Sequence, residues 1–343
     1  MDTQKKIYVF LIIVTMVVVL NLAQNVIIPF ILAILFWFMI RVIKKILRKF
    51  RLIQKFPDWS LTVISSVLML SFLFLIVTMI TINIRYLSET LPRYEENITN
   101  ITQSLRSRFE LNFPVVWADI TTDIDFGTIL SRIFSTLTGL FSKALIVFIY
   151  LIFILLEEST FQEKISAVYT DENNYKKVDL LIKKIDASVS RYLAIKTLVS
   201  LLTGLLSFIA LLFIGVDAPF FWAFLIFVLN FIPSIGSLIA TFFPAFFALL
   251  QFGEFTPAIL VLSIVGVIQI VLGNFLEPRI MGTSMNISPL VVFLTLILWG
   301  MMWGIAGMLL SVPITVILII IMAEFKDTRP IALLLSRRGQ IID

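Results

Sequence analysis

The residues best placed to do chemistry are polar groups that interrupt long apolar stretches in the C-terminal half of the chain. If those stretches cross a membrane, an amide or ionisable side chain among them is costly and marks the path of a solute or an ion. A break in the backbone there also leaves N–H and C=O groups that only protein or a watery cavity can satisfy. These features predict a substrate-binding or coupling site. The candidate residues are Asn230, Pro233, Ser234, Gly236, Ser237, Gln269, Asn274, Glu277, Arg279, Gly304 and Gly307.

Glu277 and Arg279 have two interpretations, and both stay open. The sequence contains no histidine, so a carboxylate is the leading candidate for any proton coupling, and Glu277 follows directly after an apolar stretch. The alternative is structural, with Glu277 and Arg279 forming an interfacial ion pair that fixes the end of that helix.

Composition argues against most other chemistry. The absence of cysteine and histidine removes disulfides, the usual zinc sites and the Ser-His-Asp triad. The sequence has no Walker A motif and no Gly-x-Gly-x-x-Gly after a strand, so ATP-driven transport and dinucleotide chemistry are unsupported. We therefore expect no enzyme, no metal and no cofactor. The net charge of +5 comes from bases that flank apolar spans, which predicts no nucleic-acid partner.

The elements that carry the candidate residues are predicted to be membrane-spanning helices. The chain is 59% hydrophobic and 14% charged, whereas a soluble protein is about 45–50% apolar and about 25% charged. A span needs about 20 mostly apolar residues. Apolar segments occupy residues 7–23, 26–42, 60–84, 133–156, 197–214, 220–250, 257–275 and 290–322. The predicted fold is an all-α integral membrane protein with about eight hydrophobic helical segments in the lipid bilayer.

The distribution of charge predicts the topology. Seven bases and no acid lie between Arg41 and Lys55, and such a cluster beside a span stays in the cytoplasm. It could also attract anionic lipid. The predicted regions are an N-terminal hairpin with its basic loop (1–59), two spans around an extracytoplasmic helical insertion (60–156, insertion about 85–132), a cytoplasmic amphipathic helix with a solvated charged face (157–196), a C-terminal bundle (197–325) and a tail (326–343). Both termini are predicted to be cytoplasmic.

Segments 220–250 and 290–322 are too long for simple spans. As single helices they would measure about 45–50 Å, against about 30 Å of hydrocarbon. The first is interrupted at residues 232–237 and the second at its glycines, Gly300, Gly304 and Gly307. Each is either a kinked span or a re-entrant hairpin, and in the hairpin case the two tips would meet near the midplane. Gly300 and Gly304 have the spacing of a helix-packing motif, and we expect Phe247 to face lipid.

Several segments resemble the autoinducer-2 exporter family of bacterial membrane proteins. They are Asn-Phe-Ile-Pro-Ser-Ile-Gly at 230–236, Asn-Phe-Leu-Glu-Pro-Arg-Ile-Met-Gly at 274–282, Ser-Pro-Leu-Val-Val at 288–292, Gly-Ile-Ala-Gly-Met-Leu-Leu-Ser-Val-Pro at 304–313 and Ile-Pro-Phe at 28–30. The resemblance covers nearly the whole chain and is weakest over 85–132. Arg41 departs from it, because the family often has a proline there.

The resemblance implies a secondary transporter of the bacterial inner membrane that exports a small signalling solute such as autoinducer-2, with quorum sensing as its context. In some members it implies monovalent cation/proton antiport instead. A homo-oligomer is also implied. The alternative of another class is a membrane scaffold or channel-like protein without coupled transport, and flux measured with and without a proton gradient would distinguish the two.

Overall fold

The computed structural model describes residues 3–50, 54–90, 94, 97, 144–281, 287–337 and 339. In these ranges every secondary-structure element longer than an isolated β-bridge is a helix. The helices are α1 (Thr3–Leu22), α2 (Gln24–Leu47), α3 (Asp58–Thr90), α4 (Ala144–Val168), α5 (Glu172–Ile214), α6 (Pro219–Leu229), α7 (Ile235–Phe252), α8 (Phe255–Gln269), a π-helix (Ile270–Leu276), α9 (Glu277–Met281), α10 (Pro289–Glu324) and α11 (Arg329–Leu335). Most of the predicted extracytoplasmic insertion, and the first part of the predicted fourth span, lie outside the described residues.

The described helices confirm an all-α integral membrane protein. Seven helices in this part of the chain are long and apolar enough to cross a membrane. They are α2, α3, α4, α5, α7, the continuous run from α8 to α9, and α10. The sequence separated a cytoplasmic helix (157–196) from a span (197–214), but α5 runs through that boundary as one helix of 43 residues, about 65 Å long.

The chain divides into two compact units. The first takes its residues from 1–65, 143–194 and 283–343, and the second from 66–142 and 195–282. The long helices α3 and α5 each pass from one unit to the other.

In the first unit, α2 packs against α10 through an apolar cluster. Ile28 belongs to one cluster of buried residues with Trp299, Trp303 and Leu310. The Trp303 indole Nε1 donates to the carbonyl of Leu20 at 3.2 Å, so α1 is attached to the same cluster. Buried tryptophans usually find such a partner, since an unpaired indole N–H in apolar surroundings costs free energy.

In the second unit, α6 and α7 pack on each other and on α5. Phe221, Trp222 and Phe247 are almost fully buried between them. Gly204 on α5 lies so close to α6 that an added Cβ would be 3.1 Å from the Ala223 carbonyl oxygen. The small residue therefore lets the two helices approach each other, as small residues do in membrane proteins.

Candidate functional site

The first broken segment is a helical hairpin. The rings of Trp222 on α6 and Phe247 on α7 have centroids 4.9 Å apart, although 25 residues of continuous helix would separate them by about 37 Å. The two half-helices must therefore run antiparallel, and the kinked-span alternative is wrong for this segment. Phe247 is 2% exposed, so the expectation that it faces lipid is also wrong, because the hairpin encloses it.

The hairpin reverses at a strained turn. The Ile235 amide donates to the Pro233 carbonyl at 2.6 Å, and Ser234 between them has φ +59° and ψ −59°. This is the positive-φ form of the γ-turn, which is rare and strained. Strain of this kind is kept only where surrounding packing imposes it, and it is concentrated at functional sites. Ser234 is exposed at the tip, and Ser237 donates its hydroxyl to the Ser234 carbonyl.

Gly236 makes this turn possible. A Cβ on Gly236 would lie 1.9 Å from the carbonyl oxygen of Leu229, which is far inside van der Waals contact. The second half-helix therefore begins directly against the backbone of the first, and only glycine permits that approach.

Asn230 connects the tip to α5. It is the C-cap of α6 and only 5% exposed, and its Nδ2 donates to the hydroxyl of Ser200 at 3.0 Å. Because a buried amide without a partner costs free energy, this bond holds the tip against one turn of α5.

One helical turn before Ser200, a buried ion pair joins α5 to α9. Lys196 Nζ lies 2.7 Å and 2.8 Å from the two carboxylate oxygens of Glu277, and the two side chains are only 7% and 15% exposed. The structural alternative of a Glu277–Arg279 pair is therefore wrong in its partner, since Glu277 pairs with Lys196 and Arg279 is exposed. A buried charge is tolerated because its counter-ion and hydrogen bonds compensate for lost water.

Lys196 begins a polar stripe that sequence reasoning missed. Lys196, Ser200, Thr203 and Ser207 are all buried on α5. Their spacing of four, seven and eleven residues puts them on one face of a helix. Lys196 was assigned to a solvated charged face, and for this residue the expectation is wrong. The signal that could have revealed it is the same 3.6-residue period applied to the polar residues of an apolar span.

Three buried polar atoms near the ends of this stripe and on α8 have no hydrogen-bond partner among the described residues. They are Thr197 Oγ1, Ser207 Oγ and Gln269 Nε2. Nearly all buried polar atoms in proteins are paired, so each of these is a candidate to bind water or a polar solute.

The helix that carries Gln269 and Glu277 does not end at Phe275, as the sequence suggested. It continues as a π-helix over Ile270–Leu276 and then as α9. Pro278 has no N–H to donate to the carbonyl four residues earlier, which fits a wider turn at this point. π-helical turns occur frequently at functional sites. Asn274, in this stretch, is exposed.

The opposite end of α5 carries a separate polar cluster. Asp217 lies beyond the end of α5, whose span from Lys196 to Ile214 is about 27 Å long. Tyr86 and Tyr94 both donate to the Asp217 carboxylate, and Gln251 accepts from the Asp217 amide at 2.7 Å. Burial, and then the bond to Asp217, raise the pKa of Tyr94 to about 12, so this tyrosine stays a neutral donor at physiological pH.

The second broken segment, within α10 in the first unit, is also a hairpin. Gly304 has φ +60° and ψ −141° inside α10, and a Cβ on Gly307 would lie 1.9 Å from the Trp299 carbonyl oxygen. Eight residues of continuous helix would rise about 12 Å, so the chain folds back here. Gly304 forms the turn and has open space around it, so its expected role in helix packing is wrong. A solute contact for Gly304 or Gly307 stays a prediction.

The comparison with known proteins agrees with the predicted resemblance. The sequence model of a protein family, described as AI-2E family transporter, matches residues 8–327. The AI-2 transport protein TqsA of Escherichia coli K12 is 34% identical over 333 residues, which cover 92% of this chain and 91% of TqsA. A protein of Haemophilus influenzae is 32% identical over 92% of this chain and 91% of its own length. A protein of Borreliella burgdorferi is 36% identical over 70% of this chain and 66% of its own length.

The names of the Haemophilus and Borreliella proteins propose transport and give no substrate. A match of this extent, on a chain of membrane helices with two glycine-dependent hairpins, leads to one conclusion: the protein belongs to the AI-2E transporter family.

Proposed function

We propose that the protein is a secondary transporter that exports a small polar solute, and that its second unit contains the site. The observation that carries the proposal is the buried Lys196–Glu277 ion pair, one helical turn from the Ser200–Asn230 bond that holds the hairpin tip. A change of charge at Glu277 would release Lys196 and alter the environment of the tip, because Lys196 and Ser200, which makes the bond to Asn230, lie on consecutive turns of α5. Hydroxyl and amide groups of Asn230, Ser234, Ser237 and Gln269 would bind the solute.

Autoinducer-2 is the first candidate substrate, because TqsA is named an AI-2 transport protein and a small hydroxylated solute suits hydroxyl and amide partners. Monovalent cation/proton antiport is the second candidate. It is favoured by the largely buried carboxylate of Glu277, since a carboxylate can bind either a proton or a cation. In both cases the protein is not an enzyme and works without a cofactor.

We place the protein in the bacterial inner membrane as a homo-oligomer with both termini in the cytoplasm. The bases at the end of α2 support this orientation. An impermeant maleimide should then label Glu254→Cys, in the exposed α7–α8 loop, in intact cells. Lys49→Cys, at the end of α2, should be labelled only after permeabilisation. The opposite pattern would reverse the orientation.

The decisive experiment measures flux in proteoliposomes with and without an imposed proton gradient. Glu277→Gln alone would leave Lys196 buried and unpaired, at a cost of about 3–5 kcal/mol. The double variant Lys196→Gln/Glu277→Gln removes both charges and separates folding from transport. We expect this variant to reach the membrane in normal amount and to lose flux on the order of tenfold, with a weaker pH dependence over about pH 5–9.

The control is Glu172→Gln/Lys176→Gln, which removes an exposed ion pair from the start of α5, where the side chains are 79% and 64% exposed. Its flux should equal that of the wild type, because exposed pairs contribute little. Wild-type flux and pH dependence in the Lys196→Gln/Glu277→Gln variant would reject the coupling role, and gradient-independent leakage in all proteins would favour a channel.

A further inference from the structure

The end of α2 in the first unit carries a basic cleft that the transport proposal does not use. The cleft has a volume of about 870 Å³ and is formed by the end of α2, the start of α3, α4 and α5. Its charged lining consists of six bases and three acids: Arg41, Lys44, Lys45, Arg48, Lys49, Arg191, Asp58, Glu158 and Asp186. The cleft therefore has three positive charges in excess.

All three acids of the cleft are already paired. Arg41 lies 2.9 Å from Asp186 and 3.8 Å from Glu158. Asp58 pairs with Arg48 and lies 3.9 Å from Lys44. The positive charge that remains is carried by the other three bases.

Those three bases are Lys45, Lys49 and Arg191. They are exposed, line the same cleft and form no ion pair with any described residue. Lys45 and Lys49 are four residues apart and so share one face of the chain at the end of α2, while Arg191 comes from α5. Three unpaired cations around one cleft form a site for a phosphate-bearing group.

The apolar part of the cleft favours a lipid over a free anion. Ile40, Val42 and Ile46 line it beside the bases, and α2 is itself a membrane-spanning helix. The cleft therefore lies where an apolar span ends and charged groups begin. Trp37 lies one turn before Arg41, and its ring centroid is 4.8 Å from the Arg41 guanidinium carbon. A tryptophan near the end of a span is typical of a membrane interface. Basic pockets between helices at this level bind anionic headgroups.

We propose that the cleft binds the headgroup of an anionic phospholipid, with its phosphate between Lys45, Lys49 and Arg191 and its acyl chains along the apolar surface of α2. Arg41, Lys44 and Arg48 hold the walls of the cleft together through their ion pairs. The site anchors the N-terminal helices to one leaflet.

The test measures lipid binding to the purified full chain in neutral detergent by native mass spectrometry. The probes are phosphatidylglycerol, phosphatidylcholine with the same acyl chains, and inorganic phosphate as a competitor. We expect the wild type to retain phosphatidylglycerol in preference to phosphatidylcholine. The triple variant Lys45→Gln/Lys49→Gln/Arg191→Gln should bind phosphatidylglycerol more weakly by about fivefold per base, on the order of a hundredfold in total, because each base near a membrane surface contributes about that much.

The matched control is Lys177→Gln/Lys184→Gln/Lys326→Gln, which removes three exposed bases that do not line the cleft. This control should bind phosphatidylglycerol like the wild type. Lys49→Gln alone, which changes one exposed base beyond the end of α2, should show the fivefold loss even if the triple variant is poorly folded. Equal binding of both lipids, or equal losses in the test and control variants, would overturn the proposal. Displacement of phosphatidylglycerol by millimolar inorganic phosphate would instead assign the cleft to a free anion.

Discussion

The hairpins α6–α7 and α10 use the same device at their turns and differ in what surrounds it. In each, a glycine of the second half-helix lies against a carbonyl of the first, and an added Cβ would be 1.9 Å from the oxygen of Leu229 or Trp299. The first turn contains strained, polar Ser234 and is attached to Ser200 through Asn230. The second turn is formed by a glycine and lies beside the Trp299–Trp303 cluster.

The difference indicates a division of tasks. The first hairpin retains backbone strain and polar side chains beside the Lys196–Glu277 ion pair. Such features reduce stability and are retained where function requires them. In the second hairpin Gly304 adopts the turn conformation without the steric strain that a side chain would cause, and the aromatic residues pack against α2. Stability alone favours such an arrangement. We therefore expect changes in the first hairpin to affect transport and equivalent changes in the second to affect folding.

The largest effect should come from the glycines that lie against a carbonyl. Gly236→Ala should reduce flux to the level of empty liposomes while protein remains in the membrane, because the added Cβ forces the tip open. Gly307→Ala introduces the same clash in the apolar cluster and should chiefly lower membrane abundance. Flux per protein molecule and immunoblots of membranes measure the two effects.

Gly266→Ala is the matched control for both substitutions. Its Cβ would have only Thr241 at 3.8 Å, and alanine is favoured over glycine in a helix by about 1 kcal/mol. Its flux and abundance should be at least those of the wild type. Full flux in Gly236→Ala would remove the first hairpin from the transport site.

A smaller effect is expected in the reactivity of cysteines placed near the turns. Ser234→Cys should react with a charged aqueous thiol reagent on the order of tenfold faster than Phe242→Cys, since backbone at membrane depth requires a watery or protein environment. Phe242, which is 57% exposed on α7, serves as the control. Met301→Cys, three residues before Gly304, should react slowly because the adjoining residues 298–303 include no polar side chain except the Trp indoles. Protection of Ser234→Cys by substrate would place the solute at the first tip, whereas equal rates at all three positions would contradict the comparison.

The smallest effect concerns strain at the turns, and it should have opposite signs in the two hairpins. Ser234→Gly relieves the strain of a positive φ in the folded state, but it also makes the unfolded chain more flexible. The net effect should be a stabilisation of about 1 kcal/mol. Gly304→Ala should destabilise it by about 1–3 kcal/mol, because φ +60° with ψ −141° suits glycine almost alone. Thermal unfolding in detergent, followed by tryptophan fluorescence, measures both. Destabilisation by Ser234→Gly would mean that its side chain makes a necessary contact.

Much of the fold could be predicted because hydropathy and chain breaks are local properties. The long apolar runs, the interruptions at Pro233–Gly236 and Gly300–Gly307, and the resemblance to a transporter family all follow from consecutive residues. The identity of Asn230 and Glu277 as polar groups of interest could also be predicted, because a polar residue in or beside an apolar span is conspicuous.

Only the tertiary structure decided how those segments fold and which polar groups meet. A kinked span and a hairpin have the same composition, and they differ in the contact of Trp222 with Phe247 across 25 residues. Lys196 and Glu277 are 81 residues apart, so no local window connects them, and Arg279 was the nearer but wrong partner. The free energy of such a pair depends on how deeply both charged groups are buried, and their burial is defined only once the helices have packed.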